Sequence, residues 1–92
     1  MPYLKSKDRN TINSTGGDKI ANYFAKLDAK NMAGALNYLN FKIVKKWIEK
    51  NEKRYWIFAL IVGTLVCCIL EIYRRLIAPY ENQKIKENGD VV

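Results

Sequence analysis

Between Tyr55 and Leu70 the chain runs for sixteen residues, Y-W-I-F-A-L-I-V-G-T-L-V-C-C-I-L, without one charged side chain. Continuing through Ile72 and Tyr73 makes nineteen positions, interrupted only by Glu71. As a helix rising 1.5 Å per residue, that run covers about 28 Å, close to the ~30 Å hydrocarbon core of a bilayer. Its borders also suit a span. Lys53 and Arg54 close one end and Arg74 and Arg75 the other. Tyr55, Trp56 and Tyr73 stand where interfacial aromatic side chains anchor membrane helices. The competing reading is a core helix of a soluble domain. A chain of 92 residues has little material for a core, and no second segment is apolar enough to supply one.

The run begins past the middle of the chain, behind more than fifty mostly polar residues, which is not the build of a secretory signal peptide. Asp8 and Asp18 stand in the first nineteen residues without an Arg-rich amphipathic pattern, so a cleavable transit peptide is not expected either.

Charge predicts an orientation. Twelve of the sixteen Lys and Arg precede the run and four follow it. Nearest the membrane on the N-terminal side stand Lys42, Lys45, Lys46, Lys50, Lys53 and Arg54, against Glu49 and Glu52. The positive-inside rule therefore places the N-terminal part in cytosol or, for a mitochondrial protein, in the matrix. The net charge of +7 also invites a nucleic-acid reading. No RNA- or DNA-binding motif accompanies these cations, so anionic lipid headgroups are the expected partner and nucleic acid is not.

The periodicity predicts an all-α chain. Residues 1–17 read as a flexible arm ending at Gly16-Gly17, with Asp18 as the N-cap of a basic amphipathic helical region over 18–50. Ile20, Tyr23, Phe24 and Leu27 recur at helical spacing, and the pattern resumes at Leu36, Leu39, Ile43, Val44, Trp47 and Ile48. Asn31 and Gly34 mark a break near 30–34. From Phe41 to Ile77 there is no proline and only Gly63 among glycines. One unbroken helix is therefore expected from the amphipathic region through a transmembrane segment over 51–77. Pro79 disfavours helical geometry at Ala78, so 78–92 is expected to be an extended polar tail.

Within the run, Ala59, Gly63 and Cys67 are four residues apart and share a face, a small-residue pattern that admits a second helix backbone at close range. Glu71 continues that spacing and lies three and four positions before Arg74 and Arg75, so a local ion pair at the rim accounts for it. A proton relay needs further titratable groups along the path, and the run has none. Lys42, Lys45, Lys46, Trp47, Lys50, Lys53 and Arg54 form the expected contact with lipid headgroups or a partner.

Adjacent Cys67 and Cys68 lack the spacing of a zinc or redox motif, and there is no histidine to complete a metal site. Asn13-Ser14-Thr15 is a glycosylation sequon that faces the wrong compartment in the expected orientation. No nucleophile–base pair, carboxylate dyad or phosphate loop is present, so no enzyme, small-molecule substrate or cofactor is expected. These features together predict a non-catalytic single-pass accessory subunit packed against other membrane subunits. The favoured setting is a mitochondrial inner-membrane complex, of the respiratory chain or ATP synthase, with the N-terminus in the matrix and the C-terminus in the intermembrane space. An endoplasmic-reticulum complex subunit and a regulatory protein on a channel or pump are the alternatives.

Overall fold

In the computed structural model, residues 3–92 are described, and every regular element among them is helical. The chain divides into two units, one running through Glu52 and the other from Lys53 to Val92.

The first unit begins with α1 (Ser6–Ile12), continues through a kinked turn over Asn13–Gly17, and enters α2 (Asp18–Ala25). This corrects the expected arm. Met1 and Pro2 lie outside the described residues, but Ser6–Ile12 is helical. The chain kinks at Gly16, and Gly17 explains why a second glycine stands beside it. A Cβ at Gly17 would lie 2.9 Å from the Ile12 carbonyl oxygen, so the turn closes only without a side chain there. Thr11, Ser14 and Thr15 stitch the same stretch. The Thr11 hydroxyl donates to the Lys7 carbonyl at 3.1 Å, and Ser14 and Thr15 both donate to the Thr11 carbonyl, at 3.1 and 2.6 Å. Asp18 is not the N-cap of α2, because Gly17 before it already has helical dihedrals and the break in the helix lies at Gly16.

The break expected near 30–34 falls instead at 26–28. Asp28 caps α3 (Ala29–Glu49): its Oδ1 accepts from the Asn31 amide at 2.8 Å while Oδ2 accepts from Asn31 Nδ2 at 3.2 Å. Gly34 sits inside α3, where a Cβ would meet nothing within 4 Å. The expected unbroken helix through the membrane segment is also corrected. α3 stops at Glu49, and residues 50–54 are not helical. Lys50 and Asn51 donate their amides to the Trp47 and Ile48 carbonyls at 3.1 Å each, the tight bonds of a closing turn. The Asn51 side chain then donates to the Trp47 carbonyl at 2.7 Å, so the helix end is satisfied locally.

The second unit is one helix of 34 residues, Tyr55–Asn88, about 51 Å long at 1.5 Å per residue. It comprises α4 (Tyr55–Ile72), a π-type turn over Tyr73–Ile77, and α5 (Ala78–Asn88). Arg54, with φ −120° and ψ 152°, marks the extended entry. The helix does not end near Ile77, and the expected extended tail is helical to Asn88. Ala78 keeps helical dihedrals in front of Pro79, and its amide bonds the Tyr73 carbonyl five residues back. The wide turn sets the Ala78 bond at five residues just ahead of Pro79, where in a regular α-helix the proline ring clashes with the carbonyl four residues back. Gly89, at φ +84°, closes the helix, its amide bonding the Ile85 carbonyl at 2.8 Å.

Candidate functional site: an apolar helix with a charged rim

Tyr55–Asn88 is the one helix among the described residues long and apolar enough to cross a membrane. Its most apolar window is only 6% buried within the chain. Leu60, Val62, Ile69 and Leu70 are each 55% exposed or more. Apolar surface of this extent is unfavourable in water, at about 25 cal/mol per Å².

Ala59, Gly63 and Cys67 lie on α4, all three exposed. A Cβ at Gly63 would meet nothing within 4 Å, so the face holding it is open. Beside it the Thr64 hydroxyl donates to the Leu60 carbonyl at 2.8 Å, which satisfies that polar group inside its own helix. Cys67 and Cys68 are free thiols, both exposed. Among the described residues no three His, Cys, Asp or Glu side chains gather as a metal site.

At the C-terminal edge of the apolar run the structure brings together the trio expected from spacing. Arg74 Nη2 donates to both Glu71 carboxylate oxygens, at 2.9 and 3.1 Å, and Arg75 Nε donates to Oε1 as well. Glu71 is the most sheltered of the three, its side chain 33% exposed. Two guanidinium groups on one carboxylate make a neutralised acid with a surplus positive charge at the rim. Further along α5, Lys84 pairs with Glu87 at 3.2 Å and lies 5.6 Å over the Tyr80 ring.

At the opposite edge Tyr55 and Trp56 are exposed at the first turn of α4, and Tyr73 stands half-exposed near the other end. Lys42, Lys45, Lys46, Trp47 and Lys50 belong to α3 and its cap, while Lys53 and Arg54 lie in the connection, all exposed. Two shallow grooves run along α3: one of about 530 Å³ by Tyr38, Phe41, Lys42, Lys45, Lys46 and Glu49, and one of about 550 Å³ by Leu39, Lys42, Ile43, Lys46, Trp47 and Lys50. Spacing alone missed Asp28 and Asn51. Asp28 stands three residues before Asn31 and four before the apolar Met32, a cap signal hidden behind the more conspicuous Gly34. The sequon Asn13-Ser14-Thr15 lies within the helical turn, its two hydroxyls already engaged with the backbone.

A family model described as Domain of unknown function (DUF6899) matches residues 1–91. No curated protein and no solved structure matches the chain.

Proposed function

We propose that this chain, which belongs to the DUF6899 family over residues 1–91, is a non-catalytic single-span membrane protein that acts as an accessory subunit of a larger membrane assembly. One observation carries the reading: a 34-residue helix whose apolar window is only 6% buried by the rest of the chain. Lipid tails cover most of such a helix, and the open Ala59/Gly63/Cys67 face admits a partner helix at short range. The neutralised Glu71 is compatible with a place at the interface, where an isolated carboxylate would be costly.

The excess of Lys and Arg before the helix favours the cytosolic or matrix side for residues up to Arg54. The inner mitochondrial membrane is the favoured compartment, on the strength of the small basic chain; organelle fractionation separates it from the endoplasmic reticulum.

A second reading, of a different class, draws on the same helix. α5 carries Glu81, Lys84, Lys86 and Glu87 and continues the helix well past the apolar run. In water, such a helix is stable when copies of the chain pack their apolar faces together and leave α5 solvated. The deciding experiment is alkaline carbonate extraction of cells expressing the full chain, followed by a native gel of the detergent-solubilised membranes. Retention in the membrane with co-migration in a large complex supports the subunit. Release into the supernatant as a homo-oligomer replaces it with the second reading.

A further inference from the structure

α3 carries an apolar ridge beside a row of lysines. Leu39, Ile43 and Trp47 are four residues apart, as are Lys42, Lys46 and Lys50, so the two rows run side by side along the helix. The two rows border one open, shallow groove on the side of the helix. Ile43 is 58% exposed and Trp47 45%, so the ridge is open to an outside occupant. We propose that this groove lies on the anionic phospholipid surface of the bilayer that the chain's own helix crosses, with the lysines on the phosphates; the inference rests on the membrane reading above.

Charge chooses the occupant. Across residues 42–54 six cations face two acids, Glu49 and Glu52, an excess that a strongly negative surface complements. Lysine also suits the geometry. An apolar ridge sunk about 5–10 Å into the headgroup boundary leaves the long lysine stems free to bring their ammonium groups up to the phosphates. Trp47 on the ridge has the amphipathic ring that settles at that depth. Continuity supplies the third argument. α3 ends at Glu49 and α4 begins at Tyr55, and the five residues between them span at most about 20 Å. Once the helix is inserted, the groove is held at high local concentration beside the headgroups.

The test reconstitutes the full chain into vesicles of phosphatidylcholine alone and into vesicles that also contain phosphatidylserine. The chain has two tryptophans, so the difference between its emission and that of the Trp47→Phe variant isolates Trp47 from Trp56. The expected result is a blue-shifted Trp47 emission, quenched by brominated lipid, in the anionic vesicles and reversed by salt. Charge reversal at Lys42, Lys46 and Lys50 together is expected to abolish that difference, each lysine being worth about fivefold in surface partition. Equal Trp47 emission in the two vesicle types overturns the inference, as does a shift that survives the triple reversal; either leaves the groove to a protein partner. Loss of the chain from both vesicle types under carbonate sinks the membrane reading itself, a failure distinct from an inserted chain with an indifferent Trp47.

Discussion

Arg74 holds the Glu71 carboxylate by both oxygens, at 2.9 and 3.1 Å, from one turn further along the same helix. Arg75 donates to the same group. The acid that interrupts the apolar run is thus answered by its own helix, which is why it needs no partner chain to be tolerated there.

Replacing the acid should therefore change little. Exposed pairs at this spacing contribute about 0.3–0.5 kcal/mol each, so Glu71→Gln should cost less than about 1 kcal/mol. Thermal unfolding followed by circular dichroism in detergent micelles measures the stability, and a native gel measures assembly. A variant that assembles normally yet abolishes the activity of its complex would assign Glu71 a role beyond the local pair.

The open face of α4 makes a comparative prediction. Gly63→Leu fills the space a partner backbone would occupy, whereas Leu60→Ile conserves the volume of a side chain already present. Incorporation of tagged chains into the complex should fall sharply for the first and stay near normal for the second. Equal incorporation removes the small-residue face from the interface.

Asp28 offers a test of local stability. Its side chain answers the Asn31 amide, and Asp28→Ala should cost about 1 kcal/mol of helix stability while Asp28→Ser retains most of it. Amide hydrogen exchange over residues 29–33 is the measurement, with faster exchange expected for the alanine variant only.

Two glycines should respond in opposite directions. Gly17→Ala brings a methyl group against the Ile12 carbonyl and should loosen the turn between α1 and α2. Gly34→Ala meets nothing and should stabilise α3 by about 0.5–1 kcal/mol, through the lower chain entropy of alanine. Helix content against temperature distinguishes them, and a stabilising Gly17→Ala would contradict the close approach at Ile12.

Several features are readable from the sequence because each is a local pattern. The charge-free run and the helical class follow from side-chain type along a contiguous stretch, and the Glu71–Arg74–Arg75 spacing from residues about one turn apart. The breaks are not readable in the same way. Asn51 ends α3 although neither proline nor glycine is nearby, because its side chain competes successfully for the Trp47 carbonyl. Gly34 has the composition of a break and stays helical, since Asp28 has already restarted the chain with a better cap.

Sequence alone determined that the chain is helical and that one stretch is too apolar to stand in water uncovered, since both follow from side-chain type and period. The folded structure decided where the helices stop and start. Pro79 shows the reason. Its effect depends on whether the preceding turn leaves room for the proline ring, and the wide turn over Tyr73–Ile77 precedes it in a helix that runs on to Asn88. Such outcomes are set by competition among nearly equal backbone hydrogen bonds, which only the assembled geometry resolves.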